Sequence, residues 1–301
     1  MHLGNIYTAL LSWLCAKRDG GRWLLRIEDL DPQRSRREYA LQAMEDLQWL
    51  GLSWDDEPLW QSERTEVYAE HFRLLQEQGH LYPCYCTRAD ILNAANAPHE
   101  ADGRVIYPGT CRPKGQVAKG EGPLTLKSKA PAWRVTVPDE DISFTDAVYG
   151  PQTFNLARHC GDFIVRRADG TFAYQLAVVV DDALSGITQV VRGRDLLLSA
   201  AQQIYLYSLL GYAPPSFAHL PLLCNTAGQR LSKRDTATHF GQLKQTFTPR
   251  QLTGHIAYIA GLTPTVDALP LSDLLLTFDV HRLPSDDITV SCSDDALTRR
   301  E

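Results

Sequence analysis

His2-Leu3-Gly4-Asn5-Ile6-Tyr7-Thr8-Ala9-Leu10 opens the chain, and its reading decides the fold. Ile6, Leu10, Trp13 and Leu14 share one face at helical spacing, so an amphipathic helix is expected to start at this motif and to stop at Gly20-Gly21. Residues 23–27 then read as a buried strand of bulky side chains. His2 falls at the helix entry, where free backbone N–H groups and the helix dipole favour phosphate oxygens. Gly4 carries no side chain, which lets the backbone pass close to a flat ring such as adenine. Far away in sequence, Arg230-Leu231-Ser232-Lys233-Arg234 forms a compact basic loop, and Lys233 is suited to reach a departing pyrophosphate. Neither segment is specific alone. Together they read as two halves of a nucleotide-activating site.

Composition sets the limits. A chain of 301 residues has room for two or three packed units at about 100–200 residues each. It is 44% hydrophobic and 22% charged, as in ordinary globular proteins, so disordered and fibrous classes are excluded. No run reaches the roughly 18 apolar residues of a membrane span. The apolar stretch at residues 6–14 is interrupted by Thr8 and Ser12 and lacks a basic leader, so a secretory signal is not expected. Seven cysteines, three of them clustered, predict a reducing cytoplasm and one metal site rather than a disulfide framework. The net charge of −6 argues against nucleic acid, but residues 104–129 hold six basic side chains against the single acid Glu121. That stretch is either a solvated loop or a phosphate-contacting surface.

Helices are expected at residues 36–50 and 63–78, the second with Tyr68, Phe72 and Leu75 in register, which completes an α/β half-domain. The alternation breaks at Gly79. Residues 84–159 are rich in Pro, Gly, Ala and Lys with one clear strand at 133–137, and read as an insert. Strands resume at 163–166, 172–180 and 187–191, followed by a helix at 196–210, a strand at 219–223 and a helix at 249–261. The acidic, polar tail from Pro284 is expected to fray. The expected units are therefore a Rossmann-like catalytic domain (1–80 with 159–225), an inserted module (81–158), and a loop with a short helical segment (226–301).

Three constellations carry chemistry. Arg26-Ile27-Glu28-Asp29-Leu30-Asp31-Pro32 lies at the carboxyl end of the first predicted strand, where open parallel sheets bind ligands. Glu28 there could hold an ammonium group, or the run is merely a charged turn. Phe172-Ala173-Tyr174-Gln175-Leu176-Ala177-Val178-Val179-Val180-Asp181-Asp182 reads as a strand that ends in two carboxylates. Val191-Arg192-Gly193-Arg194-Asp195 follows it, and Arg192 offers a forked guanidinium for a carboxylate. Cys84-Tyr85-Cys86 and Cys111 could grip one ion, but a closed Zn2+ site needs four ligands and only three cysteines cluster.

In this order and spacing, these motifs resemble class I aminoacyl-tRNA synthetases that activate glutamate. The resemblance covers roughly residues 1–262. Only 67 residues follow Arg234, too few for a large anticodon-binding part, so the chain is most similar to the short glutamyl-queuosine tRNA(Asp) synthetases related to glutamyl-tRNA synthetase. The resemblance implies an α/β, Rossmann-like class I catalytic domain with an inserted zinc-binding module and a short C-terminal helical segment. It implies that His2, Gly4 and Asn5 contact ATP, that Lys233 contacts the phosphates, and that His2 and Lys233 are catalytic. Glu28, Tyr174 and Arg192 would bind L-glutamate. Cys84, Cys86, Tyr107 and Cys111 would hold one structural Zn2+, with His99 as the rival fourth ligand. Mg2+ would accompany ATP, and a monomer in the cytoplasm would transfer glutamate to queuosine in the anticodon of tRNA(Asp).

The family pattern places a strand ending in Arg-Phe-Ala-Pro-Ser-Pro before the opening motif, and Met1 stands where the family has Leu. The expectation is a start site set too late, with a natural protein that extends upstream. The competing readings are a truncated glutamyl-tRNA synthetase acting on tRNA(Glu) and an inactive tRNA-binding remnant.

Overall fold

A computed structural model describes residues 1–33, 35–94, 106–113, 130–231, 239–293 and 296–299. The opening motif enters α1 (Leu3–Arg18), whose Leu3, Ile6, Leu10, Leu11 and Leu14 are wholly inaccessible. Trp13 sits at the edge of that face and donates from Nε1 to the Ser53 carbonyl. Next come β1 (Arg26–Ile27), α2 (Arg37–Trp49), β2 (Leu59–Trp60) and α3 (Thr65–Glu77). Strands β1 and β2 pair in parallel, joined by the α2 crossover.

The middle of the chain holds β3 (Leu81–Cys84), α4 (Arg88–Ala94), β4 (Ala132–Val135), β5 (Asp141–Asp146), β6 (Gly150–Asn155), α5 (Leu156–His159) and β7 (Ile164–Arg166). Strands β3, β4 and β7 form one antiparallel sheet, so the stretch read as an insert hydrogen-bonds directly to the strand that follows it. Then come α6 (Tyr174–Leu184), β8 (Gln189–Gly193), α7 (Leu197–Leu210), β9 (Ser216–Leu220) and β10 (Leu223–Cys224). The sheet that carries the site has the order β6-β5-β9-β8, with β5, β9 and β8 parallel and α1 lying against β8.

Residues 172–180 are not a strand. From Tyr174 onward they form helix α6, and Leu176 to Asp182 are all buried. A short apolar run cannot be assigned by periodicity when every side of the element is covered, and here the helix lies among α3, α7 and β7. Asp181, fully inaccessible, is satisfied by Tyr68 Oη, Gln61 Nε2 and Arg64 Nε at 2.7–3.0 Å.

The last elements are α8 (Phe240–Thr246), α9 (Pro249–Ile259), α10 (Leu271–Thr277), β11 (Ile288–Ser293) and β12 (Ala296–Arg299). The tail is therefore not frayed. Ile288 and Val290 alternate inward on β11, which pairs in parallel with β10 and antiparallel with β12. Asp287 pins it by accepting from Arg194 Nε and Nη2 at 2.5 and 2.6 Å and from the Leu222 N–H at 2.9 Å. Among the described residues no helix is long and apolar enough to cross a membrane.

Candidate active site

A cleft of about 1440 Å³ opens where α1 meets β1 and β8. The start of α1 lies on one wall. His2 caps the helix: its Nδ1 accepts from the Gly4 N–H at 3.1 Å, and its own N–H donates to Asn5 Oδ1 at 3.1 Å. A Cβ on Gly4 would sit 3.1 Å from His2 Cε1, so a side chain at position 4 would crowd the capping ring. His2, Gly4 and Asn5 all face the cleft.

The opening motif and the described start of the second motif, Arg230-Leu231, meet here. Lys233 lies outside the described residues, but the chain on both sides of it is placed. Leu231 is buried and its N–H donates to the Leu223 carbonyl, while the neighbouring Arg230 forms an ion pair with Asp195 after β8. On the far side, His239 bridges His2 and the Phe240 N–H donates to the Met1 carbonyl at 3.1 Å. Both ends of the basic loop are thus tied to the cleft.

Opposite, Glu28 and Arg192 line the same space, and Tyr174 Oη lies 3.5 Å from Arg192 Nη1. Tyr174 stands at the first residue of α6, 37% exposed, whereas Arg192 on β8 is only 9% exposed. Arg26 bridges Glu28, at 3.2 Å, and Asp182. Burial pushes the Asp182 carboxyl above the ordinary range, although the Arg26 guanidinium opposes the shift. Sequence reasoning missed the groups that hold Arg192. His219 Nε2 accepts from Arg192 Nε at 3.2 Å, and Gln203 Oε1 from Nη1 at 2.8 Å. The signals were a His within the apolar strand β9 and the Gln202-Gln203 pair within α7, and His219 and Gln203 are both buried.

The cysteine cluster lies at the end of β3. Sγ atoms of Cys84, Cys86 and Cys111 fall within 4.8 Å of one another, and Tyr107 Oη lies 3.4 Å from Cys84 Sγ and 4.0 Å from Cys86 Sγ. The Arg134 guanidinium stacks 3.7 Å from the centroid of the Tyr107 ring. His99 lies outside the described residues. Three thiols and a phenol thus converge on one point, a donor set that suits a thiophilic cation. Burial pushes the Cys86 thiol up to about 11, so a bound cation would have to displace protons. Of the basic stretch at 104–129, Arg112 is described, and it is engaged inward, with Nη2 donating to the Val137 carbonyl and Nη1 lying 3.6 Å from Asp162.

Gly161 holds the cluster from behind. At φ +65°, a Cβ there would sit 2.4 Å from the Tyr107 carbonyl oxygen. Gly161→Ala is expected to lower stability by more than about 2 kcal/mol, because left-handed strain alone costs roughly 1–2 kcal/mol. The melting temperature checks this, and an unchanged value would show that the Tyr107 backbone can move away.

A parallel sheet with a nucleotide-type helix start at its carboxyl edge, together with a basic loop returning to that start, is the layout of a class I aminoacyl-tRNA synthetase catalytic domain. Residues 1–270 match the family described as tRNA synthetases class I (E and Q), catalytic domain. The chain is 46% identical over 303 residues to a glutamyl-Q tRNA(Asp) synthetase from Symbiobacterium thermophilum, an alignment covering 96% of this chain and 92% of that protein. It is 44% identical to one from Nitratidesulfovibrio vulgaris, over 88% of this chain and 84% of the relative. A solved glutamate tRNA ligase from Elizabethkingia meningosepticum, in complex with its amino acid, superposes with a TM-score of 0.80 at 25% identity. That superposition covers 98% of this chain but 65% of the other, so the chain spans about two thirds of that longer enzyme. The chain belongs to the glutamyl-Q tRNA(Asp) synthetase family within the class I glutamate and glutamine synthetases.

Proposed function

We propose that this protein activates L-glutamate with ATP and transfers it to the queuosine base in the anticodon of tRNA(Asp). The observation that carries this reading is the near full-length match to proteins of that name, combined with a cleft that gathers His2, Gly4, Glu28 and Arg192. In the first step a glutamate carboxylate oxygen attacks the α-phosphorus of Mg-ATP, the bond to the bridging oxygen breaks, and pyrophosphate leaves. The positive end of the α1 dipole favours the phosphates, and Lys233 neutralises the leaving charge. Glu28 holds the substrate ammonium, while Arg192 with Tyr174 holds a carboxylate. In the second step a queuosine hydroxyl attacks the mixed anhydride and AMP departs. Transfer of labelled glutamate to tRNA(Asp) from queuosine-competent cells is the direct test, and label on tRNA(Glu) instead would overturn the assignment.

The cysteine cluster is read as a structural Zn2+ site formed by Cys84, Cys86, Cys111 and Tyr107. The 3.4 Å approach of Tyr107 Oη to Cys84 Sγ supports the phenol as fourth ligand. The purified protein should contain about one zinc per chain, and Cys84→Ser should release it. Metal analysis of Tyr107→Phe and His99→Ala distinguishes the ligands. Zinc affinity untouched by the first change and abolished by the second would assign the site to His99.

A further inference from the structure

Arg192, His219 and Asp146 form a row across three adjacent parallel strands. On β8 and β9, Arg192 and His219 are direct register partners, and β5, which carries Asp146, pairs with β9 on its other side. Asp146 is 1% exposed and accepts from four donors: the Val148 and Tyr149 N–H groups at 3.0 Å each, and His219 N and Nδ1 at 3.0 and 2.6 Å. Burial would raise this carboxyl, but the His219 and backbone hydrogen bonds prevail and hold it below the ordinary carboxylate range. An ionised Asp146 requires the proton on His219 Nδ1, which leaves Nε2 as an acceptor, and Arg192 Nε fills it at 3.2 Å. Burial keeps the imidazole neutral, with the nearby Arg192 charge acting in the same direction.

The arrangement separates orientation from neutralisation. A carboxylate directly on Arg192 would occupy the fork and cancel its charge. Among the described residues no carboxylate forms an ion pair with Arg192: Asp182, whose charge it feels, is paired with Arg26, and Asp146 stands behind the neutral His219 ring. The Nη1 side meets the neutral Gln203 Oε1 at 2.8 Å and Tyr174 Oη at 3.5 Å, and Nη2 lies 3.4 Å from the Leu196 carbonyl. A buried guanidinium held this way has no carboxylate in direct contact, so its fork stays open for a ligand carboxylate. We infer that Asp146 and His219 are positioning residues for the amino-acid substrate: through the Nε edge they fix the Arg192 guanidinium while leaving its charge for the substrate carboxylate. The inference rests on Arg192 being the carboxylate-binding group.

The test uses the full chain in glutamate-dependent ATP–pyrophosphate exchange. His219→Asn can still donate to Asp146 but leaves Arg192 Nε without an acceptor, whereas the longer amide of His219→Gln can restore one. His219→Asn should raise the glutamate KM roughly ten- to a hundredfold, the range for a lost hydrogen bond to a charged group. The ATP KM should stay within about twofold, as for any loss confined to amino-acid binding. His219→Gln should recover most of the glutamate affinity. If His219→Asn does not fold, Asp146→Asn is measured in its place and should show the same selective rise. An unchanged glutamate KM, or equal losses for glutamate and ATP, overturns the positioning role. Arg192→Leu separates the two readings: if it leaves the glutamate KM unchanged, the assignment of Arg192 itself fails, and if it raises the KM while His219→Asn does not, the positioning role alone fails.

Discussion

Lys233→Ala should slow glutamate-dependent ATP–pyrophosphate exchange by about a hundredfold or more, the loss expected when a preorganised charge on a developing anion is removed. The charge on the β- and γ-phosphates grows as the bond to the α-phosphorus breaks, so a lysine acting on it is expected to contribute more in the transition state than in the ground state. Turnover should therefore fall while the KM for ATP changes little. The residues that flank the loop are fixed at the cleft. Arg230 is committed to Asp195 and Leu231 is buried, while His239 is tied to His2. Both ends of the loop are held at the cleft. A Lys233→Ala protein that exchanges pyrophosphate at a normal rate with a raised ATP KM would make the residue a ground-state binder.

The sequence revealed different parts of this molecule to different degrees. The helix behind His2 was legible because Ile6, Leu10 and Leu14 repeat at helical spacing and face one core. The three thiols were legible as a set, Tyr107 was implied only by the family resemblance, and all four side chains lie together. Helix α6 was misread as a strand because Val178-Val179-Val180 favours strands locally, while its burial on all sides by α3, α7 and β7 is a tertiary property. The tail was misread for a related reason. Its alternation at Ile288 and Val290 is short, and β11 gains its partner from β10, some sixty residues earlier. The support behind Arg192 was hidden most deeply. Nothing local links Asp146 to His219, 73 residues apart, until β5 and β9 pair.

Labelled glutamate should appear on tRNA(Asp) from queuosine-competent cells and fall to background on the same tRNA made without queuosine. The reason is the nucleophile. Adenylate formation leaves a mixed anhydride in the cleft, and transfer requires a hydroxyl delivered to that carbonyl in attack geometry. The described residues after the basic loop are α8, α9 and α10 and the β11–β12 hairpin, which packs against α9 and joins β10 instead of forming a separate lobe. The proposed acceptor, the anticodon, is an exposed loop, a form in which RNA bases are accessible to proteins. Removing the 3′-terminal nucleotide provides the decisive control. Periodate would be ambiguous, because queuosine carries a diol as the 3′ ribose does. Labelling that survives loss of the terminal nucleotide and requires queuosine assigns the acceptor to the anticodon. Labelling that vanishes with that nucleotide, or that moves to tRNA(Glu), would make the reaction ordinary aminoacylation and overturn the proposed function.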